Sequence, residues 1–389
     1  MNSNRFSDSL LDSKRLVGDP LADDTVRRIF ASGAIRSANE LMRSIGENDD
    51  VSEMLLPDVM DDYFAATSTL PPWADPSKIA CGQELFCRYG PQSVLVLHCA
   101  SLPECYAAAK GVKVLAATAR LSNDAQRRIV ETAQMVVHVM APGGLSKKGK
   151  GIVDCQRVRL MHAAIRHLIL ASGRWNNEDG LPINQEDLAG TLMTFSIVVV
   201  DGLNRLGIDL SADEVDAYLH TWACVGWVMG IDEELLPTNV EDARELMQTI
   251  RRRHHAPCPE GKDMTAALVT TMQNMMPGTL FDGFPAVLIR ELVGTATADL
   301  LNVPQADWTK MFVGPFRMLG HLVDETGDRS ALITKVSSLV SYRILDGLIW
   351  FHRGEKKAPF HIPESLQHRW ANNNNNQTGG VFGGLRDWF

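Results

Sequence analysis

Three observations predict an all-α fold for this chain. Apolar residues recur at helical rather than alternating spacing along most of its length. Asp, Asn or Ser precedes these stretches and Gly or Pro follows them, the residues that start and stop helices. No succession of short alternating segments separated by turn signals appears, which argues against a sheet.

Residues 1–20 are polar and are expected to fray. Asp24 to Ile29 and Ser37 to Ile45 read as short amphipathic helices separated by Ser32-Gly33. Val51 to Ala66 continues the pattern with a break at Pro57, and the rigid turn from Leu70 to Pro76 stops it. Ser77 is expected to cap a helix running to about Tyr89, with Gly90-Pro91 as its stop. Ser93 to Cys99 fits a buried strand or a buried helical turn, because periodicity cannot separate the two in so short an apolar run. Pro103 to Thr118 is Ala-rich and helical despite Gly111. Ser122-Asn123-Asp124 opens a helix carrying Gln126 to about Met140, and Ala141-Pro142-Gly143-Gly144 breaks the chain.

After a basic, glycine-rich loop comes Arg157 to Leu170, with neither Gly nor Pro. Val158, Met161, Ile165, Leu168 and Ile169 recur there at helical spacing. Ser172-Gly173 ends this helix. Asn184 is expected to cap one helix from Gln185 to Leu206, ended by Gly207. Ser211 and Glu214 form a capping box for a helix to about Met229-Gly230. Val240 to His254, Met264 to Met275, Gly283 to Leu301, Asp307 to Thr326 and Ser330 to His352 complete the set. Asn372 to Gly380 is low in complexity and cannot bury enough apolar surface to order itself. The expected organisation is a helical extension over 1–60, a main helical domain over 61–355 and a disordered tail over 356–389.

The net charge of -9 over 389 residues argues against a nucleic-acid surface, since no excess of Lys and Arg is present to neutralise phosphates. The basic runs Lys147 to Lys150 and Arg251 to His255 are short and read as solvated faces. Seven scattered cysteines without a Cys-x-x-Cys pair suit free buried thiols rather than a disulfide framework. Apolar runs are too short to span a bilayer, and the first residues carry no export signal, so a cytoplasmic protein with no integral membrane span is expected.

Two stretches invite a chemical reading. His162 and Arg166 project from one side of their helix beside the apolar stripe. An imidazole there can ligate haem iron and a guanidinium one turn on can meet a propionate; the same pattern suits a satisfied core histidine. The loop Gly144-Leu145-Ser146-Lys147-Lys148-Gly149-Lys150-Gly151 resembles a phosphate-binding loop, but Gly151 stands where the magnesium-holding hydroxyl belongs. A mobile loop between helices is the plainer account.

Read in order, several segments resemble the latex-clearing-protein and MpaB-type haem oxygenase family. They are Ser101-Leu102-Pro103-Glu104 with Tyr106-Ala107, Arg128 with Glu131-Thr132, and Val158 to Arg166. Pro182 to Leu188, Tyr218 to Gly230 and Ala298 to Pro304 follow. The likeness spans roughly residues 60–350. It implies a large helical bundle with a globin-like core and flanking helices around haem b. It implies His162 as the proximal iron ligand and Arg166 as a supporting cofactor-binding residue. Arg128, Glu131 and Thr132 fall where latex-cleaving members place an arginine, a distal lysine and a threonine, and are the implied catalytic residues; Glu131 departs from the lysine. The implied activity is oxygenation of a small apolar substrate, an isoprenoid or other alkene, with O₂. The rubber-cleaving members are secreted, so an extracellular polymer is a poor candidate substrate for this chain. Three alternatives stand beside this reading: a haem-binding sensor without catalysis, a P-loop-like nucleotide-binding protein, and a helical interaction protein without cofactor.

Overall fold

A computed structural model describes residues 5–45, 58, 60–119, 125–274 and 283–305. The described residues are helical throughout, with a lone antiparallel bridge between Ala108 and His255 and no strand. The helices expected at 307–326 and 330–352, the low-complexity tail and the Ser122–Asp124 cap lie outside the described residues.

The chain opens with α1 (Asp8–Lys14), α2 (Pro20–Ser32) and α3 (Ile35–Ser44). Ser7 caps α1 and Asp19 caps α2. Gly33 stops α2 in the left-handed conformation (φ 72°), which glycine adopts without steric penalty. The expected fraying of residues 1–20 is overturned from Arg5 onward: Phe6 and Leu11 are fully buried and anchor the start of the chain in the core. Next come α4 (Asp61–Thr67), α5 (Pro76–Arg88) and α6 (Gly90–Val96). Asp75, not Ser77, caps α5, accepting from the amides of Ser77 and Lys78, because Pro76 already supplies the first helical φ. The ambiguous run at 93–99 is helical and widens into a π-turn at Leu97–Ser101.

Beyond it lie α7 (Leu102–Ala107), α8 (Val112–Ala119), α9 (Ala125–Met140) and α10 (Gly151–Ala171). The single helix expected from Gln185 to Leu206 is two, α11 (Gln185–Phe195) and α12 (Ile197–Arg205). Ser196 leaves helical geometry (φ -103°, ψ -91°), its hydroxyl bonds back to the Leu192 carbonyl at 2.9 Å, and a β-branched run follows it. The remaining helices are α13 (Ala212–Val228), α14 (Val240–His254), α15 (Pro259–Asn274), α16 (Phe284–Val293) and α17 (Thr295–Leu300). The capping box at Ser211 and Glu214 is present, and Gly294 (φ 83°) splits the expected Gly283–Leu301 helix.

Two apolar clusters form the interior. The larger is built on the π-turn and on α5, α6, α7, α11 to α14 and α16. The smaller joins α2, α3 and α4 to α10. Helix α10 serves both: Ile152 and Cys155 enter the first cluster, while Leu160, Ala163, Ala164 and Leu168 enter the second. Ile183, in the turn before α11, packs against both. All seven cysteines are free, with Cys99, Cys155 and Cys224 buried. No helix among the described residues is long and apolar enough to cross a membrane.

Helices α5 and α13 lie in close contact, and Gly82 sits at their crossing. A Cβ there would fall 2.8 Å from the Ala217 carbonyl oxygen and closer still to the Thr221 hydroxyl. Gly82→Ala is therefore expected to destabilise the protein by about 1–3 kcal/mol through overpacking. Chemical denaturation of the variant against the parent checks this.

Candidate active site around helix α10

Helix α10 runs without interruption from Gly151 to Ala171, with Ser172 and left-handed Gly173 at its end. His162 lies at its middle. The residue is half-buried while its Nδ1 is buried, so its accessible surface lies away from that nitrogen. Met161 beside it packs against the smaller apolar cluster.

Arg159 and Arg166 stand three residues before and four after His162, on the same face. Arg166 is 3% exposed at its side chain. Its Nε donates to the Pro182 carbonyl at 3.0 Å and Nη2 to the Ile183 carbonyl at 2.7 Å; Nη1 pairs with Asp23. Arg159 donates through Nε and Nη2 to Asp19 at 2.5 and 2.9 Å, and through Nη1 to the Val228 carbonyl at 3.0 Å. All three nitrogens of Arg166 are thus engaged by protein groups. Through these contacts Arg166, expected from the sequence to meet a propionate, holds the turn before α11 against α10. That turn contains a strained residue, Ile183 at φ 54°, which a β-branched side chain adopts rarely.

Arg128, Glu131 and Thr132 lie on α9, which folds back to α10 through the glycine-rich loop. Thr132 is half-buried; the side chains of Arg128 and Glu131 lie outside the described residues. The two helices are tied near the loop by the His138–Asp154 pair, with Arg157 also donating to Asp154 at 2.9 Å. From that tie Glu131 is seven residues back along α9 and His162 eight residues along α10.

The loop does not have the open geometry of a phosphate cradle. Its amides bond to its own carbonyls: Gly144 to Ala141 and Gly151 to Gly144 at 2.8 Å, Ser146 to Gly143 and Gly149 to Ser146 at 2.9 Å. It follows a helix instead of a strand. The nucleotide-binding expectation fails on both counts.

The family-like segments that carry charge are built into a buried network. Asn184 caps α11, and Gln185 donates to the carbonyls of Gly18 and Gly230, each at 2.8 Å. The Glu186 side chain is fully buried and is met by Arg253 at 2.6 Å, His254 at 2.8 Å and Arg15 at 3.1 Å. Burial pushes its carboxyl up, but hydrogen bonds from His254 and Arg253 and the charge of Arg15 outweigh this and bring it down to about 2. For Asp187 burial wins over Arg15, and its carboxyl is raised. Glu104 takes a two-pronged bond from Arg251, at 3.0 and 2.8 Å. The run at 251–253, expected to be a solvated face, instead supplies partners for buried acids. Only Arg252 keeps a mostly exposed side chain, 58%, and it too is paired, with Asp8. Sequence reasoning missed Arg15, Asp19, Asp23, Arg159 and Arg253. Their partners lie far away along the chain, and no spacing rule reports such pairs.

Residues 93–324 match the model of the family described as ER-bound oxygenase mpaB/B'/Rubber oxygenase, catalytic domain. The rubber oxygenase of Streptomyces sp. (strain K30) is 23% identical over 273 residues, 67% of this chain and 65% of that protein. The chain therefore spans slightly less than two thirds of that relative's length. Latex clearing protein LCP in the closed state superposes with a TM-score of 0.69 at 20% identity, covering 86% of this chain and 91% of that one. At that identity the likeness is one of fold, and it bears out the all-α reading.

Because the Glu186 carboxyl titrates lower in the folded chain than its ordinary 4.5, its stabilising contribution is complete above that pH. The contribution is lost as the pH falls from about 4.5 to about 2. Glu186→Gln is expected to destabilise by about 3–5 kcal/mol at neutral pH, because it leaves buried cations uncompensated. It should also flatten the acid limb of stability against pH. Thermal unfolding of both proteins across that range checks the sign.

Proposed function

This chain belongs to the family of mpaB-type and rubber oxygenase catalytic domains, and from that premise we propose a haem b-dependent oxygenase acting with O₂ on a small apolar alkene, isoprenoid in character. The observation that carries the reading is His162: a half-buried imidazole at the middle of an uninterrupted helix, flanked by two clamped arginines and adjoining apolar packing. A neutral imidazole is a fitting donor for haem iron, and the donor set around it suits the group: one nitrogen ligand with its face held in place. When bound, haem supplies the oxygen activation and the electron chemistry.

The chain's own residues supply the rest. His162 would hold the iron through a ring nitrogen; its Nδ1 is buried. Arg166 and Arg159 fix the helix that carries it. Met161 and Ile183 contribute apolar surface that favours an alkene and disfavours water. On α9, Arg128, Glu131 and Thr132 are the proposed catalytic group. A carboxylate at position 131 could accept hydrogen bonds and take up a proton, which a lysine ammonium cannot do. Thr132 can donate a hydrogen bond toward a polar atom, and Arg128 contributes positive charge.

Glu131 also favours a second reading. With a carboxylate replacing the amine, the same His162 site suits a haem-binding sensor that turns nothing over.

Purified protein titrated with haemin is expected to develop a Soret band, and His162→Ala to weaken haemin binding by more than about 100-fold. Oxygen uptake that depends on an added alkene supports the oxygenase; a Soret band without uptake selects the sensor. The absence of any Soret band after haemin addition overturns both.

A further inference from the structure

The first twenty-odd residues lie outside the span matched by the oxygenase family, yet they reach the centre of the candidate site. From Arg5 to Asp23, seven charged residues of this arm each meet a charge on the body. Arg5 pairs with Asp242, Asp8 with Arg252 and Arg253, and Asp12 with Arg253. Lys14 pairs with Asp232 and Glu234, and Arg15 with Glu186 and Asp187. Asp19 pairs with Arg159, and Asp23 with Arg166.

The last two contacts differ from the others in what they hold. Arg159 and Arg166 are on the same face of α10, seven residues apart, with His162 between them. One pin on a helix leaves it free to turn about that point. Two pins about 10 Å apart along the same face remove both rotation about the axis and sliding along it. The pins are themselves linked. The Asp19 amide donates to Asp23 Oδ2 at 3.0 Å, and Asp19 Oδ1 also caps α2 through the Ala22 amide at 3.2 Å. A Cβ at Gly18 would lie 2.7 Å from Asp23 Oδ2 and 3.0 Å from Arg166 Nε, so the arm passes as close as its backbone permits. On its other side the arm is fastened to the start of α11, where the Gln185 amide donates to the Val17 carbonyl at 2.9 Å.

We propose that Asp19 and Asp23 are positioning residues that act through Arg159 and Arg166 to set the rotation of α10, and so the direction in which His162 presents its ring. This rests on the reading of His162 as the functional imidazole. It assigns the N-terminal arm to the site itself.

The test uses the full chain with Asp19→Asn, Asp23→Asn and Asp23→Glu. Each is compared with the parent by diethylpyrocarbonate labelling read residue by residue in peptide mass spectra, and by haemin titration. Asparagine keeps the shape and removes the charge; glutamate restores it. In both asparagine variants, labelling of His162 is expected to change several-fold. His220, on α13 and paired with the Asp75 amide, keeps its rate, and Asp23→Glu returns His162 toward the parent value. The haemin Kd is expected to rise on the order of tenfold in the asparagine variants. An unchanged His162 rate overturns the proposal. So does a parallel rise at His162 and His220 with a lower Tm, which marks general loosening of the fold. If the parent protein binds no haemin, the oxygenase reading falls, while the labelling arm still decides whether the two aspartates orient His162.

Discussion

An arginine shielded from water cannot escape its surroundings by losing its proton, so each buried guanidinium demands a carboxylate or a set of carbonyls. The side chains of Arg15, Arg159 and Arg166 are 7%, 11% and 3% exposed. Their demand fixes where Glu186, Asp187, Asp19 and Asp23 must stand, and through them the course of the N-terminal arm and the start of α11. Much of the remaining packing follows from that arrangement. Helix α10 lies against α2 because its arginines reach the first turn of α2. The turn at 182–184 lies against α10 because two of its carbonyls are the acceptors left for Arg166.

The segments that resemble the oxygenase family divide into two kinds. Some hold the frame: Glu104, Asn184, Gln185, Glu186 and Asp187 are all engaged by protein partners. Others are the residues proposed here for chemistry, His162 on α10 and Arg128, Glu131 and Thr132 on α9. A likeness spread over both kinds reports a shared scaffold more firmly than a shared reaction, and the substitution of Glu131 for lysine falls in the second kind.

Much of the fold was legible before the structure. The helical period, the Asn184 cap and the Ser211–Glu214 box act within a few residues, and each appears as read. Breaks at Ser196 and Gly294 were missed, because a helix can be ended by one backbone dihedral that the apolar pattern runs straight across. The polar start of the chain was misread for a different reason. Its charges imply solvent only if they have no partners, and their partners lie from 140 to 245 residues away. For the site, His162 and Arg166 could be placed on one helix face from spacing alone. That Arg166 would turn inward to Asp23, Pro182 and Ile183 depended on residues distant in sequence, and so no local rule could report it.

The arm has a temporal consequence. Asp8 and Arg252 are 244 residues apart in the chain, yet they end in contact. At roughly 5–20 residues per second of synthesis, the arm waits on the order of ten to fifty seconds before its last partners exist. Until then Asp8 and Asp12 have no native partner. A segment made early therefore completes its docking late, only once α14 has been made.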